Sequence, residues 1–337
     1  MAKRGWIALG VGVAAAVAGV ATERALVRRD RARPDPSKDE PYGSLRGEPF
    51  EVTSFDGTRI YGERFGSVGP TLVLSHGFSL NRTLWHHQCL DLATDRRVVA
   101  YDHRGHGLSA RAESDDYSLD ALARDMDAVV RACGDGPIML VGHSMGGMAL
   151  LTWCELFTER LGSIVDGIVL IDTTAADVLH GRLAPAGRGV TAAAQGVQEI
   201  VMRAMAGRAR ELDRIRLHGS GPSYLATRVM GFGRNPPPSQ VDFVERMLAS
   251  VPSDVWLRLM PAMMALDVTH VLADIKVPAL VIAGERDRLT PPGAAERLAR
   301  GLPDAELVVI GDAGHTPMLE AHARVTELLR DFSEQVA

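Results

Sequence analysis

Short apolar segments alternate with amphipathic segments along most of the chain. Several apolar segments lack polar alternation, which is typical of strands buried on both faces of a sheet. They are Thr71 to Ser75, Arg97 to Tyr101, Ile138 to Val141, Gly167 to Ile171, Ala279 to Ala283 and Glu306 to Ile310. Helical patterns lie nearby, as in residues 118–133, where apolar side chains recur at helical spacing and Ser118 can cap the first turn.

An apolar hairpin precedes these segments. Phe50 to Phe55 and Arg59 to Phe65 flank an Asp56-Gly57 pair, which favours a tight turn between two strands. Together the segments predict an α/β fold with a mostly parallel, mainly eight-stranded sheet and helices on both faces. Functional side chains are expected where the strands end, at the carboxyl edge of the sheet.

The alternation stops between residues 175 and 267. This part has no clear strand, its helical segments are broken by glycines and by Pro236-Pro237-Pro238, and it holds seven of the 13 methionines. We predict that residues 175–267 form a helical lid inserted after strand 6, because flexible methionine side chains such as Met263 suit a pocket for varied apolar ligands. Residues 48–174 and 268–337 then form the core.

The amino terminus has a different composition. Residues 6–21 are almost uncharged and rich in Ala, Val and Gly, and more arginines follow them than precede them. We predict that residues 1–33 are a hydrophobic membrane anchor, and the excess of arginines after it would leave the rest of the protein on the cytoplasmic side. The alternative is a signal segment, whose cleavage would accompany export of the protein. Residues 34–47 contain three prolines and are predicted to be a linker.

Composition narrows the classes of function. A hydrophobic content of 46%, a charged content of 23% and a net charge of -5 are ordinary for a globular domain. A basic stripe with interleaved aromatic residues is missing from the sequence, which argues against a nucleic-acid partner. Cys89, Cys133 and Cys154 are too few and too scattered to predict a disulfide framework or a metal site. The oligomeric state is left open.

A Gly-x-Ser-x-Gly motif places Ser144 between Gly142 and Gly146. The motif directly follows an apolar strand and directly precedes an Ala/Leu-rich helix, so the serine is predicted to lie on a sharp strand-to-helix turn. Glycine neighbours allow such a strained turn, and the free N–H groups at the start of the helix point at any anion that forms beside the hydroxyl. Ser144 is therefore the candidate nucleophile.

A serine hydroxyl needs a base within hydrogen-bond reach and an acid that orients the base. His315 lies in a small-residue loop after the last strand, where it can reach the sheet edge. Asp287 follows the preceding strand, and Asp172, one strand earlier, is the rival acid. The order Ser144, Asp287, His315 is the one expected for a nucleophile on this type of turn. His143 is expected to pack or hydrogen-bond locally.

Five short motifs support one family resemblance. They are His76-Gly77-Phe78, Asp102-x-Arg104-Gly105-x-Gly107-x-Ser109, Gly142-His-Ser-Met-Gly146-Gly147, Gly284-x-x-Asp287 and Gly314-His315. From about residue 50 onward the chain resembles the α/β-hydrolase superfamily, in its group of lid-bearing, cofactor-free serine hydrolases. The resemblance implies an oxyanion hole formed by the backbone N–H groups of Phe78 and Met145, and two amides beside Ser144 are also what a tetrahedral oxyanion needs. A serine at the nucleophile position argues against the epoxide-hydrolase and haloalkane-dehalogenase branches.

The predicted function is hydrolysis of a carboxylic ester or lactone, on a small or lipid-like molecule, through an acyl-enzyme and without a metal or organic cofactor. Trp85, His76 and Met263 are predicted to contribute to the substrate pocket. Two alternatives stay open: perhydrolysis of the cofactor-free haloperoxidase kind, which uses the same residues, and a binding module that keeps the triad without turnover.

Overall fold

The apolar segments assemble into one sheet. The structure, a computed structural model, describes residues 22–134, 136–176, 213 and 221–336. Within these residues, eight strands pair in the order β1-β2-β4-β3-β5-β6-β7-β8. They are β1 (Glu48–Thr53), β2 (Arg59–Phe65), β3 (Thr71–Ser75), β4 (Arg97–Tyr101), β5 (Ile138–His143), β6 (Val165–Ile171), β7 (Ala279–Gly284) and β8 (Ala305–Ile310). The predicted fold class is confirmed.

Antiparallel pairing is confined to the amino-terminal edge of this sheet. β1 pairs with β2, and β2 with β4, in antiparallel register, and the later pairings are parallel. Gly57 closes the β1–β2 hairpin with a φ of 89°, a conformation that favours glycine. Parallel strands place their carboxyl ends on one edge, so the loops after β3, β5, β6, β7 and β8 meet there.

Helices connect the strands and cover the sheet. Those described are α1 (22–31), α2 (His86–Leu92), α3 (Leu119–Arg131), α4 (Met145–Leu156), α5 (Gly221–Gly231), α6 (Pro238–Ser250), α7 (Ser253–Met264), α8 (Pro292–Gly301), α9 (Pro317–Glu320) and α10 (His322–Gln335). α5, α6 and α7 lie between β6 and β7, in the segment predicted to be a lid. Residues 177–212 and 214–220 of that segment lie outside the described residues.

Two apolar layers bury the sheet between them. Along β3, Val73 belongs to one layer, whereas Leu72 and Leu74 belong to the other, as the two-residue period of a strand requires. The first layer includes Trp153 of α4, and the second includes Leu329 of α10. Each fully buried side chain of this size stabilises the fold by about 1.5–3 kcal/mol, so the sheet is a rigid support for the loops at its carboxyl edge.

The residues that follow the apolar amino-terminal stretch pack against the body of the protein. α1 buries Val27 in the second apolar layer. Arg31 pairs with Asp242 at 2.6 Å, and Arg33 pairs with Asp30 at 2.8 Å. Arg31 and Arg33, two of the arginines that follow the predicted apolar anchor, therefore neutralise carboxylates of the protein itself.

The membrane anchor predicted from sequence is not supported. In the described ranges, no helix is both long enough and apolar enough to cross a bilayer. This finding overturns the membrane-anchored localisation, and with it the membrane as a partner, that we inferred from arginine bias. The apolar residues 6–21 on which that inference depended lie outside the described residues.

Candidate active site

Ser144 lies on the sharp turn between β5 and α4. Its φ of 52° and ψ of -118° are strained values for a residue with a side chain. The turn has little room, because a Cβ on Gly142 would lie 2.6 Å from the Cα of Gly147, and one on Gly146 would lie 2.4 Å from the carbonyl oxygen of Ser75. The motif glycines are therefore required for the turn that lifts Ser144 to the sheet edge.

Three side chains form one hydrogen-bonded chain at this edge. His315 Nε2 lies 2.9 Å from Ser144 Oγ, and His315 Nδ1 lies 2.8 Å from Asp287 Oδ2. The three residues are 7%, 7% and 4% exposed, respectively, in the order Ser144, His315 and Asp287. Because the carboxylate accepts from Nδ1–H, the neutral imidazole presents Nε2 to the serine hydroxyl as an acceptor. This tautomer is the one that can take a proton from Ser144.

Asp287 is held in its ionised form. Thr290 Oγ1 donates to Oδ2 at 2.6 Å, and the N–H groups of Leu289 and Thr290 donate to Oδ1 at 2.7 and 3.1 Å. Burial raises the pKa of Asp287, but the electrostatic attraction of the His315 ring and the hydrogen bonds outweigh burial and lower that pKa below its usual value. The carboxylate is therefore available to orient the imidazole.

Asp172, the rival acid, makes different contacts in the structure. Its Oδ1 accepts from the N–H of Gly284 at 2.8 Å, while His315 donates to Asp287 instead. Burial raises the pKa of Asp172 well above its usual value, and the negative charge of the neighbouring Asp287 raises it further. Of the two carboxyl groups, Asp287 is therefore the one whose surroundings favour the ionised form.

His143 contacts the loop that carries His315. Its Nε2–H donates to the carbonyl oxygen of His315 at 2.7 Å, and the two ring centroids are 4.9 Å apart. Burial lowers the pKa of His143 to about 3, so the ring is neutral. The sequence analysis expected a local contact, whereas the partner is 172 residues away.

The loop after β3 approaches the serine closely. A Cβ on Gly77 would lie 2.7 Å from His143 Nδ1 and 3.2 Å from Ser144 Cβ, so this position requires glycine. The next residue, Phe78, lines the cavity beside Ser144, and Met145 is the first residue of α4. The backbone N–H groups of Phe78 and Met145 thus belong to the two segments that adjoin the hydroxyl.

Buried imidazoles support this loop from behind. His76 Nδ1–H donates to the carbonyl oxygen of Gly77 at 2.8 Å, and His76 Nε2 accepts from the N–H of His103 at 3.0 Å. The N–H of Ser79 donates to His106 Nε2 at 3.3 Å. Burial lowers the pKa of His76 to about 4 and that of His106 to about 3. These hydrogen bonds therefore fix the loop without adding charge beside the site.

Glu320 connects the His315 loop to the segment between α5 and α6. Its carboxylate accepts from the N–H groups of Gly314 at 2.9 Å, Thr316 at 3.3 Å and Gly233 at 2.7 Å. The sequence analysis missed this residue, because a single glutamate outside the recognised motifs carries no pattern of its own. The available signal was its position shortly after His315.

A cavity of about 730 Å³ opens beside Ser144, within the size range of small-molecule sites. Its lining is mostly apolar and includes Phe78, Met148, Met230, Leu248, Trp256 and Met263. The predicted pocket residue Met263 is among these side chains. Met230, Leu248 and Trp256 come from α5, α6 and α7, respectively.

Trp85 and His76, also predicted as pocket residues, do not line this cavity. Trp85 is fully buried in the second apolar layer, edge-on to the His143 ring at 6.5 Å. His76 is fully buried behind the loop that it supports. Both lie near Phe78 in sequence, but apolar burial and hydrogen bonding hold them inside the core.

Two groups of side chains in the described ranges could supply metal ligands. They are Glu40 with His86 and His87, and His143 with Asp172 and His315. In the second group, the Nε2 of His143 and both ring nitrogens of His315 are engaged in hydrogen bonds. That arrangement suits proton transfer, because the ring that faces the serine is already oriented.

Comparison with known proteins agrees with this fold. A family model for the alpha/beta hydrolase fold matches residues 70–322. The 2-(acetamidomethylene)succinate hydrolase of Mesorhizobium japonicum is 26% identical over 253 residues, which cover 73% of this chain and 82% of that protein. A thermophilic esterase from Thermogutta terrifontis is 26% identical with a TM-score of 0.68, covering 86% of this chain and 99% of that one. The enol-lactonase of Burkholderia xenovorans LB400 shares the fold, with a TM-score of 0.66 at 21% identity, covering 84% of this chain and 99% of that one. The protein therefore belongs to the α/β-hydrolase family and is a hydrolase.

Proposed function

We propose that the protein is a serine hydrolase that cleaves a carboxylic ester or lactone through an acyl-enzyme. The observation that supports this best is the unbroken hydrogen-bond chain from Ser144 Oγ through His315 to Asp287. A serine hydroxyl alone is a poor nucleophile at neutral pH. A hydroxyl bonded to an oriented imidazole loses its proton as it attacks.

In the first half-reaction, Ser144 Oγ bonds to the carbonyl carbon of the substrate and its proton passes to His315 Nε2. The imidazolium that forms is stabilised by the Asp287 carboxylate. When the tetrahedral intermediate collapses, the bond to the leaving alcohol breaks, and the alcohol oxygen takes the proton from Nε2. In the second half-reaction, His315 Nε2 takes a proton from a water molecule as the water oxygen bonds to the acyl carbon. The bond from that carbon to Ser144 Oγ then breaks, the acid leaves, and Oγ takes the proton back from Nε2.

The negative charge on the carbonyl oxygen needs two donors in each half-reaction. We assign this role to the backbone N–H groups of Phe78 and Met145. The close approach of Gly77 to Ser144 supports the assignment, and so does the position of Met145 at the start of α4, where backbone N–H groups lack helical partners. The supporting histidines hold the Phe78 loop ready before substrate binds.

The substrate that fits this site is an ester or lactone with an apolar acyl or alcohol group. Residues 175–267, which contain α5 to α7, would form the lid over the cavity. Methionines such as Met230, Met260 and Met263 line it, and their flexible side chains adapt to ligands of different shape. The same site would handle lactones, since ring opening keeps the leaving alcohol attached to the acyl group.

Covalent labelling tests the proposal directly. A fluorophosphonate probe should label the wild-type protein and should not label Ser144→Ala. Ser163→Ala is the matched control, since Ser163 is an exposed serine that donates to the carbonyl of Glu159. A set of p-nitrophenyl esters of increasing chain length then measures turnover. Wild-type protein that neither labels nor cleaves these esters would point instead to a binding module. Peracid formation from acetate and hydrogen peroxide would reveal the perhydrolase alternative.

A further inference from the structure

Residues 22–46 run along the outside of α5 and α6, and they precede the matched family segment 70–322. We call residues 22–46 the amino-terminal strap. We propose that the strap positions the cavity wall formed by α5 and α6, and thereby sets the selectivity for the acyl group. This inference rests on the proposed function, because it assigns acyl selection to the same cavity.

Asp35 of the strap caps α6. The helix begins at Pro238, the last residue of Pro236-Pro237-Pro238, and the N-cap residue Pro237 makes no side-chain cap, because proline has no polar side-chain atom. Asp35 supplies the cap from 204 residues away: Oδ2 accepts from the N–H of Ser239 at 2.8 Å, and Oδ1 accepts from Ser239 Oγ at 3.0 Å. A negatively charged acceptor at this end of a helix stabilises its first turn.

Asp30 joins the strap to α5. Its Oδ2 accepts from the hydroxyl of Tyr224 at 2.8 Å, and its Oδ1 lies 2.9 Å from Arg228 Nε. The Asp30 side chain is only 11% exposed, so solvent screens these contacts less than it screens surface ion pairs. Arg31 adds a guanidinium 4.7 Å from the centre of the Tyr224 ring. One short stretch of the strap thus makes three contacts with α5 through two side chains, Asp30 and Arg31.

Tyr42 holds the far end of the strap against α6. Its ring stacks on Phe243 with centroids 4.9 Å apart and 15° between the planes. Its hydroxyl accepts from Gln240 Nε2 at 3.2 Å. Arg33, between Asp30 and Tyr42, donates to the carbonyl oxygen of Pro236 at 2.6 Å. The strap therefore contacts the segment before α6, the first turn of α6 and the middle of α6.

Other side chains of the same two helices form part of the cavity wall. Met230 of α5 and Val244 and Leu248 of α6 line the cavity. Val244 is the next residue after Phe243, so a movement of the strapped ring also moves a cavity side chain on the same turn. The neighbouring α7 is held differently, because Arg111 of the core pairs with its Asp254 at 2.9 Å.

The α5–α6 wall is therefore held by the strap on its outer side and by Glu320, through the N–H of Gly233, beside the His315 loop, whereas the Ser144 turn is held by the sheet and the core. Loss of strap contacts should weaken the binding of a long acyl chain that extends along this wall. A short acyl group that stays beside Ser144 should be affected little. A general loss of stability would instead reduce activity on both kinds of substrate.

The test compares the double variant Asp30→Ala/Asp35→Ala with Asp39→Ala in the full-length chain. Asp39 is an exposed carboxylate of the same strap, so the control removes the same type of side chain. In the double variant, KM for p-nitrophenyl octanoate should rise about tenfold, because the variant loses both the helix cap made by Asp35 and the ion pair made by Asp30. For p-nitrophenyl acetate, kcat/KM should stay within about twofold of wild type, a difference near the typical effect of a surface substitution. The control should match wild type with both esters.

Equal effects on the two esters, or no effect on either, would overturn the proposal. If the double variant does not fold, Asp35→Ala alone carries the same comparison. If wild-type protein cleaves neither ester, the proposed function fails, and deuterium exchange decides on the strap separately. Faster exchange in α5 and α6 than in α7 of the double variant supports positioning by the strap, and unchanged exchange refutes it.

Discussion

Replacing Asp287 by asparagine should force His315 into the wrong tautomer. Asp287 Oδ1 accepts from the N–H groups of Leu289 and Thr290. An asparagine must keep its carbonyl oxygen at this position, because its NH₂ group would face two donors there. The NH₂ group then takes the place of Oδ2, 2.8 Å from His315 Nδ1, and donates to that nitrogen. The imidazole proton moves to Nε2, which can no longer accept from Ser144.

The expected loss is about 10³- to 10⁴-fold in kcat, the size seen when a triad acid is replaced in this way. It corresponds to about 4–5.5 kcal/mol of transition-state stabilisation at 1.36 kcal/mol per tenfold change. Asp172→Asn should cost about tenfold or less, the size of one ordinary hydrogen bond. Burial already favours the neutral form of Asp172, and its φ of 44° is one that asparagine tolerates well.

The assay is kcat for a p-nitrophenyl ester that the wild-type enzyme cleaves, measured on both variants at neutral pH. Thermal unfolding of each variant controls for misfolding. A loss in Asp172→Asn equal to or greater than that in Asp287→Asn would refute the tautomer argument and would move the acid to the end of β6.

Three further outcomes are expected. Ser144→Ala and His315→Ala should each remove nearly all ester cleavage with little change in Tm, and the double variant should be no worse, because these side chains act as a unit. Losses in kcat that multiply would contradict this. Glu320→Gln should lower the free energy of unfolding by about 1.5–3 kcal/mol, since the NH₂ group of an amide cannot accept from the N–H groups that the second carboxylate oxygen binds. The same substitution should lower kcat about tenfold or more by displacing His315. An unchanged kcat would count against a positioning role. Burial lowers the pKa of His106 to about 3 in the folded protein. As pH falls, this imidazole therefore takes up a proton in the unfolded chain before it does so in the folded one. The contribution of neutral His106 to the free energy of unfolding is complete above about pH 6.5 and declines towards pH 3. The free energy of unfolding, measured with urea, should therefore fall less between pH 7 and pH 5 in His106→Gln than in the wild-type protein, by about 2 kcal/mol. An equal fall in both proteins would show that this histidine does not titrate as described.

Local patterns in the sequence determined the sheet and the nucleophile. The segments Thr71 to Ser75 and Arg97 to Tyr101 were predicted with the bounds that β3 and β4 have in the structure. A strand buried on both faces must be apolar without interruption, so its ends are visible in the sequence. The strained turn at Ser144 was equally visible, because only nearby glycines permit it. For His315 and Asp287, the sequence predicted positions at the sheet edge and favoured Asp287 over its rival Asp172 as the acid, a choice that remains a prediction.

The contacts between residues distant in sequence depended on the tertiary structure. The hydrogen bond from His143 to His315 spans 172 residues, and the cap that Asp35 places on α6 spans 204. Such contacts arise from the order of strands in the sheet and from the path of the chain around it, which no local pattern encodes. Arg31 and Arg33 illustrate the same limit, since charge bias suggested a membrane where folding supplied the carboxylates of Asp242 and Asp30. Neighbouring residues impose backbone conformation and burial, whereas partners distant in sequence are selected only when the whole chain has packed.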